Sequence, residues 1–379
     1  MSFFKKNFEI STEGKDFYKS LFNVVGPIAV QNLISAAVSS TDVIMLSFVG
    51  QTAIAAASLA GNIQFILIMI ATSLSSGLVM LCAQYWGKKD IESIRILHGI
   101  ALRFSLIFGI AVTIAAFFWP SFLMRIFTND ENLVEVGSRY VKIVSVSYLC
   151  FSISQMFQAG LKSIERVKIV STITVTAFCV NVLLNAVFIF GLFGAPKIGI
   201  AGVALATSVS RIVELVFTVI YSYMQKDVKI RFSNLFKFRR ILTFDFLRYS
   251  MPALGNELVW GAAFTMYSVI MGHLGEDIVA ANSVVGVLRN LGTVLCFGMA
   301  YGGAIVLGKT MGSGQMELAQ RNAVRLIKTT ILSGIIGSFL MYALHPVLPL
   351  LADLTPQAQH YSDVLLIINC FSIIGAAIN

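Results

Sequence analysis

Ten stretches of this chain stay apolar for the length of a bilayer, and the polar residues gather into short joints between them. The stretches run over residues 21–46, 52–84, 94–119, 134–158, 168–191, 199–224, 247–272, 277–308, 322–350 and 360–379. About 20 mostly apolar residues cross the hydrocarbon core as a helix, so each stretch predicts one span, and the longer ones predict tilt or extension into the headgroups. Gly50, Asn129-Asp130 and the run from Gly191 through Pro196 to Gly199 mark turns. The pattern predicts an all-α polytopic membrane protein built from helical hairpins.

The same pattern is written twice. A shift of 225 residues places Pro27 on Pro252 and, without a gap, Gly50 on Gly275. Ala55, Ala56, Ser58 and Gly61 then fall on Ala280, Ala281, Ser283 and Gly286, and Gly77, Gly87 and Gly109 on Gly302, Gly312 and Gly334. Six spans precede the joint at 225–246, so both copies enter the membrane in the same direction. Such parallel repeats are related by an axis along the membrane normal, with the transport path between lobes. The expected organisation is a segment 1–20, an N-lobe of spans 1–6 over 21–224, a linker 225–246 and a partial C-lobe of spans 7–10 over 247–379. Residue 379 is the counterpart of residue 154, inside span 4. The expectation is therefore two parallel-repeat bundles of six and four spans, in a chain lacking the counterparts of spans 5 and 6.

Charge sets the orientation. Of the 28 Lys and Arg, 22 lie before span 1 or around every second joint, with the densest group at Lys226, Lys229, Arg231, Lys237, Arg239, Arg240 and Arg248. The opposite joints hold Arg125, Arg139, Lys142 and Lys197. Positive charge stays inside, so the N-terminus is expected in the cytoplasm of a multi-pass protein of the plasma (inner) membrane. The net charge of +9 serves topology and not nucleic acid. A hydrophobic content of 57% with 12% charged residues exceeds what one soluble core can bury, so the bilayer is the expected solvent. Cys82, Cys150, Cys179, Cys296 and Cys370 all lie in apolar segments without ligand spacing, and neither disulfide nor metal is expected. Residues 1–20 lack an apolar core followed by a cleavage site, so span 1 is expected to anchor itself.

Ionisable groups inside a span are costly and mark function by default. Asp42, Glu214 and Glu257 are the acidic residues well inside spans. Asp42 lies eight residues before Gly50, about 12 Å from the outer end at 1.5 Å per residue. Asn181 and Asn185, an i, i+4 pair on span 5, and Thr207 on span 6 fall at the same depth. Together they form a candidate proton or Na⁺ site. Asp42 also reads as an acceptor for Ser39, Ser40 and Thr41, and the asparagines as interhelical glue. Arg211 and Glu214, at i, i+3, read as a self-neutralising pair. Glu257 falls on the repeat position of Asn32, five residues after a proline in both lobes. It suggests a cavity with Asn256, Asn282, Gln31 and Asn32, against the alternative of a core hydrogen bond to Asn256 or Trp260. Arg289 has no partner apparent in sequence. The four histidines are scattered, and no catalytic constellation points to an enzyme.

Five segments carry a resemblance: PIAVQNLISAAVSSTDVIMLSFVGQTAIAAASLAGN, CAQYWGKKD, NVLLNAVFIFG, GIAGVALATSVSRIVE and PALGNELVWG. Together they resemble the MATE family of multidrug and toxic compound extruders. The resemblance implies twelve spans in two six-helix bundles and alternating access driven by a cation. It places Asp42 at the family's span 1 carboxylate, Asn181, Asn185 and Thr207 at its N-lobe polar partners, and Glu257 near its span 7 glutamate. Asn379 falls about where some members carry an acidic residue. The expected activity is antiport: inward Na⁺ or H⁺ exchanged for an organic, often cationic, drug or metabolite, by a monomer without cofactor. The alternative is a flippase for a lipid-linked saccharide or other lipid-like substrate, which a wide basic cavity would mark; the few embedded cations, Arg211 and Arg289, argue against it.

Overall fold

The computed structural model describes residues 2–273, 276–347 and 355–378. Among them there is no strand, and eleven α-helices follow in order. These are α1 (Ser2–Ser47), α2 (Gln51–Gly87), α3 (Ile91–Phe118), α4 (Pro120–Arg125), α5 (Glu131–Ser163), α6 (Val167–Phe190), α7 (Ile200–Met224), α8 (Arg240–His273), α9 (Glu276–Gly312), α10 (Met316–Ala343) and α11 (Pro356–Ile378). Lipid offers no partner for a bare N–H or C=O, so apolar segments this long close their hydrogen bonds internally as helix. Eight of them, α2, α3, α5, α6, α7, α9, α10 and α11, are long and apolar enough to cross a bilayer. The 46-residue α1 and the 34-residue α8 take the places of the other two expected spans. Helix α1 begins at Ser2, so it includes the segment that precedes span 1.

Local chemistry sets the helix ends. Asp130 caps α5 by accepting from the Asn132 and Leu133 N–H groups at 2.9 and 3.3 Å. Asp90 caps α3, accepting from the Ser93 N–H at 3.0 Å and its hydroxyl at 2.6 Å, and these bonds hold its carboxyl below the usual range. Helix α6 stops at Gly191, whose φ of 72° suits a residue without Cβ. The short α4, absent from the expectation, starts where Pro120 takes the first helical position after Trp119.

Two compact units are formed, one by Ile34–Glu257 and the other by Met1–Leu33 with Leu258–Asn379. In the first, α5 is the central post, packed against α2, α3 and α7 around Leu67, Met124, Val141, Tyr148 and Phe151. In the second, α9, α10 and α11 share a core of Val285, Leu288, Met341, Leu366 and Ile373. Large side chains such as Leu183, Ile107 and Phe371 stay exposed on the helices, as suits a lipid-facing surface.

The repeat survives as matching close contacts. A Cβ on Gly109 of α3 would lie 2.7 Å from Ser152 Oγ of α5, and one on its counterpart Gly334 of α10 would lie 2.5 Å from Ala377 of α11. Ala377 is itself the counterpart of Ser152. A second pair is reciprocal. In the first unit Gly77 of α2 presses on Ser250 of α8, and in the other Gly302 of α9 meets Val25 of α1, with 2.6 Å left for a Cβ. The 225 shift carries Gly77 to Gly302 and Val25 to Ser250. The first part of α1, expected in the N-lobe, therefore packs on α9, and the first part of α8, expected in the C-lobe, on α2.

The linker is docked. Gly99 of α3 lies directly under the Asn234 carbonyl, Arg103 donates to the Lys237 carbonyl at 3.0 Å, and Lys237 pairs with Glu92 at 2.6 Å. Phe232 of the linker's 3-10 turn packs on Phe157 at 5.0 Å.

Helices α9 and α10 cross with Gly337 against the Gly292 carbonyl. Gly337→Leu forces this crossing apart and is expected to cost about 1–3 kcal/mol, read as a lower midpoint in thermal unfolding of the purified protein. Gly255→Ala on α8, where a Cβ meets nothing within 4 Å, is expected to leave the midpoint unchanged or raised. A Gly337→Leu protein unfolding with the parent would contradict the close crossing.

Candidate functional site

Three helix ends set the level of the first candidate site. Met45 and Leu46 of α1 share a core cluster with Ala53 of α2, Ile189 of α6 and Val203 of α7. One turn from each of these anchors lie Asp42 on α1, Asn185 on α6 and Thr207 on α7. Helices α1 and α6 run in one direction and α7 returns, so the three positions share one level. The Asp42, Ser39 and Ser40 side chains lie outside the described residues.

The other members are buried: Asn181 is 2% exposed, Asn185 0% and Thr207 9%. Asn185 Nδ2 donates to Asn181 Oδ1 at 3.3 Å, the i, i+4 contact expected from the spacing. Thr207 Oγ1 is buried without a hydrogen-bond partner among the described residues. A hydroxyl left unpaired in an apolar interior costs on the order of 1–3 kcal/mol. Two amides, a hydroxyl and an adjacent carboxylate position make an oxygen-rich set, chemically suited to a hard cation or a shared proton.

Deeper along α7 is a second polar cluster. Glu214, 4% exposed, accepts from Arg211 Nη1 at 2.8 Å and from Gln158 Nε2 of α5 at 2.9 Å. The Arg211 guanidinium also lies over the Phe151 ring at 5.2 Å. The self-neutralising pair read from sequence is present, and Gln158, which that reading missed, ties it to α5. Two cations, Arg211 and the nearby Lys162, face one carboxylate. That excess suits a latch between helices better than a cation site.

The residues expected to line a C-lobe cavity differ in exposure. Gln31 is buried, Asn32, Glu257 and Asn282 are half-buried and Asn256 is exposed. Glu257 makes no hydrogen bond to Asn256 or Trp260, so among the described residues its core alternative is not realised. Asn282 of α9 has a partner that was not expected, accepting from the Tyr267 hydroxyl of α8 at 2.9 Å. Arg289, two turns along α9, donates from Nη1 to Asn369 Oδ1 of α11 at 3.4 Å and lies over the Phe264 ring at 5.0 Å. Asn379 and Gly275 lie outside the described residues.

Membrane-crossing helices in two repeats with buried polar groups fit a multi-pass membrane transporter, and membership of a transporter family makes the chain that and not an enzyme. The model of the MatE family matches residues 27–187 and 252–379, beginning at the two repeat prolines, and the chain belongs to the MATE family. It is 26% identical over 342 residues to a probable multidrug resistance protein NorM of Rhizobium meliloti (strain 1021), covering 87% of this chain and 70% of that protein. An uncharacterized transporter, YisQ of Bacillus subtilis (strain 168), is 22% identical over 81% of this chain and 67% of its own. The fold matches an outward-facing structure of a multidrug resistance MATE family transporter of the MOP superfamily, with a TM-score of 0.83 at 20% identity, over 95% of this chain and 81% of that one. A MOP superfamily transporter from Pyrococcus furiosus, described as having a binding pocket of reverse polarity, matches with a TM-score of 0.81 at 21% identity over 95% and 82%.

The latch generates a test. Glu214→Ala leaves the Arg211 charge without its carboxylate and is expected to cost about 3–5 kcal/mol of stability. The double variant Arg211→Met/Glu214→Leu is expected to cost less than the sum of the two single changes, because the penalty of a stranded partner disappears. Additive losses in thermal unfolding would show that the two side chains do not act as a pair.

Proposed function

We propose that this chain is the transport unit of a cation-coupled antiporter that exports organic, often cationic, small molecules by alternating access. Multidrug resistance relatives of the NorM kind support the substrate range. The observation that supports the reading is a pair of buried, mutually bonded amides, Asn181 and Asn185, and a buried Thr207 hydroxyl that has no partner among the described residues, on helices whose ends pack with that of α1 one turn from the position of Asp42. Entry of Na⁺ or H⁺ neutralises that carboxylate. Coupling follows when the occupied and vacant forms favour different conformations, because a ligand moves an equilibrium only by its differential affinity for the two states. Glu257, with Asn256, Asn282, Gln31 and Asn32, contributes polar groups for the substrate, and no cofactor takes part. The protein works as a monomer in the inner membrane. Its N-terminus and basic joints lie in the cytoplasm, as the distribution of Lys and Arg requires.

Asp42→Asn keeps the side chain's size and removes its charge. It is expected to abolish gradient-dependent export of a fluorescent organic cation from cells while the amount of protein in the membrane stays at the parental level. Asn181→Ala is expected to shift the cation concentration for half-maximal transport upward by about 10–100-fold, as loss of a supporting partner does in other ion sites. Undiminished export by the Asp42→Asn protein would return this carboxylate to a structural role.

A further inference from the structure

Arg289 is a cation within a span that neither the antiport reading nor the Glu214 latch uses. It lies thirteen residues into α9, about 20 Å from the helix start and inside the membrane-crossing part Val284–Gly312. A charged side chain at that depth is costly and faces a partner or a watered cavity. Among the described residues its partner is not a carboxylate. One of its five N–H groups reaches Asn369 Oδ1 at 3.4 Å, the long edge of a hydrogen bond, and no ion pair is formed. Asn369, 5% exposed, is held in place because its Nδ2 donates to the Leu365 carbonyl at 2.8 Å.

The flank is aromatic. The guanidinium lies over Phe264 at 5.0 Å, Phe264 stacks on Trp260 at 5.4 Å and 20°, and Tyr267 stands 6.4 Å beyond Phe264 with its hydroxyl committed to Asn282. Trp260, Phe264 and Tyr267 follow at helical spacing on one side of α8, with Trp260 52% and Phe264 39% exposed. An aromatic ladder thus ends at a positive charge of which one donor is used among the described residues. A planar guanidinium is shaped for two parallel hydrogen bonds to a carboxylate or sulfonate, and exposed ring faces take an aromatic body.

We propose that Arg289, with the Trp260–Phe264 wall, binds the anionic group of an aromatic carboxylate or sulfonate, which makes this face of α8 and α9 a site for anionic aromatic compounds. The proposal rests on the antiport reading for its physiological meaning, but it is tested by binding alone. The whole chain is reconstituted in lipid nanodiscs with Trp86→Phe and Trp119→Phe, so that Trp260 is its sole tryptophan. The probes are 4-nitrobenzenesulfonate and trimethyl(4-nitrophenyl)ammonium, of matched shape and opposite charge, whose nitrophenyl ring quenches indole fluorescence; calorimetric titration runs in parallel. The sulfonate is expected to bind at least about ten-fold more tightly than the ammonium and to quench Trp260. Arg289→Gln is expected to remove that preference while leaving ammonium binding unchanged, and Arg289→Lys to restore part of it. Equal binding of the two probes by the parent, a sulfonate preference that survives Arg289→Gln, or loss of both probes in that variant would each overturn the proposal. The parent comparison stands even if the variant does not fold. A chain that binds the sulfonate but does not export would sink the antiport reading alone, and one that exports without the preference would sink this proposal alone.

Discussion

Lipid does not sort one apolar helix from another, so a bundle in a membrane depends on how closely its backbones can approach. Here that approach is made at small residues, and the duplicated sequence places them twice. Gly109 on Ser152 and Gly334 on Ala377 fix the same hairpin contact in both copies. Gly77 on Ser250 and Gly302 on Val25 bind the start of one copy's first span to the second span of the other. A side chain at any of these glycines has to displace its neighbour, so the arrangement is held by volume, reinforced where Ser105 donates to the Ser152 carbonyl at 2.8 Å and Ser338 to the Cys370 carbonyl at 2.9 Å.

The polar groups then take positions that the packing leaves to them, in three ways. The amides Asn181 and Asn185 are bonded to each other, and the buried Thr207 hydroxyl has no partner among the described residues. Glu214 accepts on one oxygen from Arg211 and on the other from Gln158, which makes it a fastening between α5 and α7. Arg289 makes one hydrogen bond among the described residues, beside a row of rings. Direct pairing of opposite charges separates the second from the first and third, and polar groups without such a pair at membrane depth are what a ligand can use.

The spans were legible because length and hydropathy are dictated by bilayer thickness, and the repeat because glycines and prolines keep register where other residues drift. The level of Asn181, Asn185 and Thr207 was legible too, since depth along a helix is a count of residues. Other features depend on tertiary contacts that no local pattern carries. Residues 2–20 continue α1 although they are polar, because a helix leaving the membrane can extend without an apolar face. Gln158 lies at the end of a span, where a polar residue is ordinary, and only its approach to Glu214 from 56 residues away gives it a role. Asn369 stands 80 residues from Arg289. The docking of the linker on Gly99 and Arg103 was hidden behind a composition that reads as a basic loop.

The central claim is that a buried oxygen-rich site in the N-terminal half takes a cation whose gradient drives export. Its most direct test is substrate flux in proteoliposomes holding the purified chain, with the Na⁺ and H⁺ gradients imposed and collapsed one at a time in the absence of nucleotide. The account predicts flux against a substrate gradient while one of the two cation gradients stands, and cessation as soon as that gradient is collapsed. Uphill flux that continues with both gradients collapsed would contradict it.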